Sequence, residues 1–323
     1  MSAERIVILG ASGFFGTRLV RHALKGGAAK VVAIDIEPPR ERLDGADYHT
    51  VDVRRPIDPA LGEGASVIFN FAAVHRTPGH PEEEYYETNV AGALNATALA
   101  DACDIRTIVF TSSIAVYGPS EQEVVEDTPL KPTTAYGRSK RLAEQVHQEW
   151  LRQGEGRRLI VVRPGVTFGP GERGNYTRLA KALKKGYFFY PGRRDTVKSG
   201  GYIDELLRTF EFALKRNEPS ILYNFAYPGH STTEDIVKAF AQVMDQNHRP
   251  LTLPVTPLLA AAGLFEICNA LGLKNTIHRE RVMKLVKSTK VRPGWLLASG
   301  YEFATDLKGA LTNWRDESAG SFD

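Results

Sequence analysis

Apolar positions along the chain cluster in short unbroken runs, separated by longer stretches in which they recur at helical spacing. The first run, Ile6-Val7-Ile8-Leu9, leads into Gly10-Ala11-Ser12-Gly13-Phe14-Phe15-Gly16, after which Thr17, Leu19, Val20, Ala23 and Leu24 follow a helix-like pattern. Further runs at Val31–Asp35, Asp47–Asp52, Ser66–Ala73, Arg106–Thr111, Leu159–Arg163 and Ile221–Phe225 predict more strands. Helical patterns run from Pro81 through Asp101, and from Tyr136 through Leu142, Ala143, Val146 and Trp150. Strands apolar at consecutive positions and alternating with helices predict an α/β fold: a doubly wound parallel sheet, with ligands at the carboxyl ends of its strands.

The second half is less regular. Arg178–Lys198 is basic with an aromatic centre (Tyr187, Phe188, Phe189, Tyr190), either a solvated helix face followed by an apolar strand or a wall for a diphosphate and a base. Ser231-Thr232-Thr233-Glu234 reads as a capping box, and Asp306–Trp314 as a closing helix. Thr256–Gly272 is strongly apolar, but Glu266 and Asn269 interrupt it and it is too short to span a bilayer. A buried helix is expected there, with a membrane-surface anchor as the alternative.

Composition narrows the picture by exclusion. A formal net charge of +3 over 323 residues gives no electrostatic case for nucleic acid. The two cysteines, Cys103 and Cys268, form no CxxC pair, which argues against a disulfide framework or a cysteine zinc site and fits a reducing cytoplasm. The chain enters a strand almost at once, so no signal peptide is expected; no metal site is expected either.

Strand, glycine turn and helix in that order suit a dinucleotide, whose pyrophosphate would face the positive end of the helix. Asp35 ends the second strand 19 residues after Gly16, where an acid accepts from the adenosine ribose hydroxyls of NAD and repels the 2′-phosphate of NADP; Arg40 is the counter-signal. Asp52-Val53 could flank an adenine, and Phe71-Ala72-Ala73 ends the fourth strand in small residues that let a cofactor approach. His75 follows, a contact to cofactor or substrate or a loop histidine with no role. Tyr136 and Lys140 share one helix face. A phenol with a pKa of about 10 is a poor base, but a nearby ammonium and an oxidised nicotinamide would pull it down. Ser113 could hold the reacting oxygen beside it. Taken alone, the Tyr136/Lys140 pair reads equally as a solvated helix pair.

In combination, Gly10-x-x-Gly13-x-x-Gly16, Asp35, Ala72-Ala73, Asn89-Val90-Ala91-Gly92, Ser112-Ser113 with Val116-Tyr117-Gly118, and Tyr136-x-x-x-Lys140 resemble the extended short-chain dehydrogenase/reductase family, nearest its NAD-dependent nucleotide-sugar epimerase/dehydratase branch. The likeness covers nearly the whole chain and is most specific up to about Pro170. It implies a Rossmann domain over 1–168 with 197–226 returning to it, and a smaller interleaved substrate lobe over 169–196 and 227–323. Tyr136 would be the acid/base, Lys140 the ribose-binding group that lowers the tyrosine pKa, and Ser113 the group orienting the substrate hydroxyl. Asn89 would be structural. NAD would meet Gly10, Ser12, Gly13, Phe14, Phe15, Gly16, Asp35, Asp52, Val53, Phe71, Ala72, Ala73, Tyr136, Lys140 and Pro164. A nucleotide-diphosphate sugar would meet His75, Ser113, Tyr136, Asn175, Lys198 and Arg279. Dehydratases carry Asp-Glu where this chain has Ile114-Ala115, so dehydration is disfavoured; Val166 stands near where relatives place a substrate-binding asparagine. The resulting expectation is C4 epimerisation in a cytoplasmic homodimer. A net oxidoreductase is the alternative, and a cofactor-sensing protein without turnover a more distant one.

Overall fold

A computed structural model describes residues 5–28, 30–76, 79–247, 249–270 and 279–323. Its strands, in chain order, are β1 (Arg5–Leu9), β2 (Lys30–Asp35), β3 (Ala46–Thr50), β4 (Val67–Asn70), β5 (Thr107–Thr111), β6 (Ser120–Val124) and β7 (Arg158–Pro164), followed by β8 (Val166–Phe168), β9 (Tyr190–Pro191), β10 (Gly200–Tyr202), β11 (Ser220–Phe225), β12 (Thr252–Leu253) and β13 (Thr289–Val291). Seven of them form one parallel sheet in the order β11-β7-β5-β4-β1-β2-β3. The chain thus winds outward from β1 in both directions, as the alternating pattern predicts. The switch of direction beside β1 opens a crevice at the carboxyl rim.

Helices α1 (Phe14–Lys25), α2 (Glu82–Ala102), α3 (Ala135–Arg152), α4 (Asn175–Lys184), α5 (Ile203–Leu214), α6 (Thr233–Val243), α7 (Val255–Ala270), α8 (Arg279–Val286), α9 (Gly294–Ala298) and α10 (Leu307–Glu317) complete the chain. Side chains on successive strand positions point to opposite faces, so each apolar run feeds two cores. Ile6, Ile8, Val31, Phe69, Val109 and Ile160 pack in the cluster that includes α1, α5 and α6. Val7, Leu9, Ile34, Ile68, Phe110 and Val161 pack in the cluster beneath α2 and α3.

Several expectations are corrected. The fourth strand stops at Asn70, because Phe71-Ala72-Ala73 leaves the sheet to pass over the glycine turn. The stretch after Pro119 holds a strand that no apolar run announces, β6, which pairs with β13 from the far end of the chain. The capping box sits one residue later than expected: Thr232 accepts from the Asp235 amide and Asp235 accepts from the Thr232 amide. The aromatic centre is not a buried strand throughout, since Tyr187 and Phe189 are exposed and only Tyr190–Pro191 pairs, with β12. The apolar helix expected to be buried is α7, and its surface is largely open to water, with Leu264 66 % exposed. The end of that stretch, Leu271 and Gly272, and the side chain of Cys268 lie outside the described residues. Among the described residues, no helix is long and apolar enough to cross a membrane.

Candidate active site

The glycine turn is built by the protein's own packing at two of its three glycines. Gly10 has φ +83°, a left-handed conformation, and a Cβ there would lie 2.7 Å from the Ala72 nitrogen. A Cβ on Gly16 would lie 2.2 Å from the Gly10 carbonyl oxygen, so only glycine lets α1 rest on the turn. At Gly13 the nearest atom would be 3.3 Å away, and φ is −70°, so the fold itself demands little there. What a methyl group at Gly13 would fill is the approach to the N-terminus of α1. That N-terminus has no side-chain cap and no acid in its first turn, so its amides are open to an anion. A pyrophosphate fits this cradle.

Beside it, the Ser12 and Glu37 amides donate to the two Asp35 carboxylate oxygens, at 2.9 and 3.0 Å. The Ser12 hydroxyl donates to the Glu37 carbonyl at 2.8 Å. These bonds fix the carboxylate at the end of β2 and leave lone pairs for ribose hydroxyls. Arg40, the counter-signal for a 2′-phosphate, reaches away from this carboxylate to the Gly171 carbonyl at 3.3 Å. Phe15 meets Phe71 edge-on, with Phe71 stacked on Phe210 at 5.7 Å, which braces the segment over the turn. Asp52 is paired with Arg54, and Val53 is buried, its carbonyl accepting from Asn95 of α2 at 2.8 Å. The Pro164 end of β7 is held against β11 by the Gly165 amide, which donates to the Phe225 carbonyl at 2.8 Å.

The carboxyl end of β5 carries the reactive groups. Ser113 caps a short helical turn, accepting from the Ala115 amide at 3.1 Å, and its hydroxyl faces the Tyr136 phenol and favours the charged form of that phenol. Thr134 caps α3 by accepting from the Gly137 amide at 3.1 Å, which sets Tyr136 in the first turn. Lys140, 2 % exposed, donates to the Thr111 carbonyl at 2.8 Å and lies 4.8 Å over the Phe110 ring. Burial pushes its amine down to about 7, with Glu144 opposing. Tyr136 is pushed above the ordinary phenol value by burial, and only the Ser113 hydroxyl works against this. Lys140 therefore does not itself lower the phenol here: desolvation disfavours the charge on its amine, which is aimed at a carbonyl.

A hydrogen-bonded clasp locks these parts together. Asn89 on α2 accepts from the Val74 amide at 2.9 Å and donates to the Val74 carbonyl at 3.1 Å and the Ser139 hydroxyl at 2.8 Å. Ser139 in turn donates to the Tyr136 carbonyl at 2.9 Å. The Ala73–His75 loop and the tyrosine turn are thus tied to one amide side chain. His75 is held below the ordinary imidazole value by desolvation and then by Arg76 and Lys140, which puts it within electrostatic reach of the lysine.

Three further substrate candidates each have partners of their own. Asn175 starts α4, is exposed, and accepts from Arg178 at 2.7 Å. Lys198 donates to the Lys284 and Lys287 carbonyls, both at 2.6 Å, and burial pushes it down to about 8. Arg279 pairs with Glu266 at 2.8 Å on the exposed α7–α8 surface. Sequence reasoning missed the support beneath α3. Arg163, a cation inside an apolar strand, pairs in two places with buried Glu144 (2.9 and 2.7 Å) and donates to the Tyr117 hydroxyl at 2.7 Å. The signal was present in Glu144, one helical turn after Lys140. Among the described residues, no cluster of His, Cys, Asp and Glu could hold a metal ion.

A doubly wound sheet with an anion cradle at its first turn and a serine, tyrosine and lysine at the same rim defines a dinucleotide-dependent enzyme of the short-chain dehydrogenase/reductase type. The chain belongs to the NAD dependent epimerase/dehydratase family, whose model matches residues 6–226, and its cofactor is NAD. It is similar to the N-acetyl-α-D-glucosaminyl-diphospho-ditrans,octacis-undecaprenol 4-epimerase of Escherichia coli O157:H7, 29 % identical over 303 residues that cover 92 % of this chain and 90 % of the relative. A UDP-glucose 4-epimerase of Vibrio cholerae is 24 % identical over 78 % of this chain and 79 % of its own. The fold is shared with the crystal structure of UDP-glucuronic acid 4-epimerase from Bacillus cereus in complex with NAD, at a TM-score of 0.78 and 18 % identity, covering 99 % and 100 % of the two chains.

Proposed function

We propose that the protein is an NAD-dependent epimerase acting at C4 of a nucleotide-diphosphate sugar, without net redox change. The observation that carries this is the meeting of Ser113 and Tyr136 side by side, with buried Lys140 one helical turn on, at the rim that also holds the Gly10–Gly16 cradle. Bound NAD would supply a hydride acceptor and donor in turn, so that C4 passes through a ketone, and in its oxidised form a positive ring charge that favours a neighbouring phenolate. Tyr136 takes the proton from the C4 hydroxyl and later returns it, while Ser113 holds the same oxygen in line. Lys140 holds the nicotinamide ribose, and Asp35 the adenosine ribose. Ile114 and Ala115, beside Ser113, carry no group able to move a proton from a neighbouring carbon, which supports epimerisation over dehydration.

In this reading residues 1–168 and 197–226 hold the cofactor, and 169–196 with 227–323 receive the sugar and its diphosphate. The enzyme is cytoplasmic and pairs with a second copy through α2 and α3, where Leu94 (54 %) and Leu142 (41 %) are exposed. The test is Tyr136→Phe. Turnover should fall roughly 10²–10⁴-fold, with melting temperature unchanged, and the wild-type enzyme should turn over without added NAD(P)H. A wild-type rate in the variant would overturn the role of Tyr136. Stoichiometric consumption of NAD(P)H would make the protein a net reductase.

A further inference from the structure

Helices α7 and α8 together leave a broad apolar surface in water. On α7, Pro257, Ala260, Ala261 and Leu264 recur along one side at helical spacing, and all four are exposed. Leu251 just before it and Leu285 on α8 are 73 % and 54 % exposed. The two helices run antiparallel: Val255 and Val286 both approach Gly192 at one end, and Arg279 pairs with Glu266 toward the other. Charge is just as one-sided. Residues 279–287 hold four cations (Arg279, Arg281, Lys284, Lys287) against one acid, while 251–266 hold a single acid and no cation. An apolar helix too short to cross a bilayer, beside a basic strip, is the composition of a segment lying in the plane of an anionic lipid surface.

The hairpin also sits on the side where the chemistry is. It returns through β13, which pairs with β6, and β6 follows the Ser113 loop from the carboxyl end of β5. The Ser288 carbonyl accepts from the Ser120 amide at 2.9 Å, and Lys198 binds the last carbonyls of α8. We propose that the α7–α8 hairpin docks on an anionic membrane surface, so that the enzyme takes, besides nucleotide-linked sugars, a sugar whose diphosphate is carried by a polyprenol in that membrane. This rests on the epimerase reading and names a second carrier for the same diphosphate-linked sugar. The Escherichia coli relative, whose name specifies an undecaprenol-linked diphosphate sugar, is consistent with it.

The experiment is flotation of the full chain with vesicles of phosphatidylcholine alone or mixed with phosphatidylglycerol, beside turnover assays on a nucleotide-diphosphate sugar and on a polyprenyl-diphosphate sugar in vesicles. Wild type should float with the anionic vesicles only, and high salt should release it. Ala261→Glu/Leu264→Glu, and separately Leu251→Glu, should weaken vesicle binding about tenfold or more. Turnover of the vesicle-borne sugar should fall by a similar factor, and that of the soluble sugar should not change. Wild type that fails to float, or a double variant that floats as well as wild type, overturns the proposal. So does a double variant that only changes the oligomeric state in solution, since a second copy would then cover the face. Protein that floats but turns over neither sugar keeps the docking and defeats the epimerase reading; protein that epimerises the soluble sugar without floating does the reverse.

Discussion

Strand β1 and helix α7 are equally apolar in sequence and opposite in environment. Ile6, Val7, Ile8 and Leu9 are each 0 % exposed, while Leu264 of α7 is 66 % exposed. The strand has neighbours on both edges and helices over both faces, whereas the helix packs mainly along α8 and reaches Gly192 only at its first residue, Val255. Hydrophobicity tells how strongly a segment avoids water, but the number of elements able to reach it decides whether it succeeds.

The largest effect is expected inside the β1 region. Gly16→Ala would force a methyl group to within 2.2 Å of a backbone oxygen, and the protein should lose several kcal/mol or fail to fold. Gly13→Ala, measured beside it by thermal melting, should change stability by less than about 1 kcal/mol while weakening NAD binding. Equal destabilisation by the two would show that the turn serves only the fold.

Next, Ile8→Ala should cost about 2–5 kcal/mol in denaturant unfolding, because it empties a fully buried site. The matched change Leu264→Ala should stay within about 0.5 kcal/mol. A Leu264→Ala cost near that of Ile8→Ala would mean α7 is covered in solution.

A smaller, pH-dependent effect comes from Lys140. Between about pH 7 and 10.5 burial disfavours the charged amine in the folded protein, while the unfolded chain keeps it protonated. The unfolded state therefore holds more protons, and stability should climb with pH across that window, by up to about 1.4 kcal/mol per pH unit. Lys140→Met should flatten this slope. An unchanged slope would mean the buried amine keeps its proton.

The same contrast explains what could be read before the fold was known. Strands β1, β2, β5 and β7 and the Tyr136/Lys140 pair are legible because each rests on neighbours close in sequence: an unbroken apolar run, or two side chains one turn apart. The pairing of β6 with β13 is not, since Ser120 and Thr289 are joined only through the finished fold. The direction of Lys198 was hidden for the same reason, because its partners are carbonyls of a helix more than eighty residues away. The pKa of Lys140 is a third case: the spacing places the amine near Tyr136, but burial, opposed by Glu144, decides how much charge it carries.

All seven central strands point the same way, so every reacting group is delivered to one rim and the starts of the strands are left to other uses. Arg5, Lys30, Ala46, Thr107 and Ser220 mark that opposite edge. An immobilisation linker, a dye or a fused partner attached at exposed Lys30 would leave the mouth of the crevice open, and would keep the α7–α8 surface free as well.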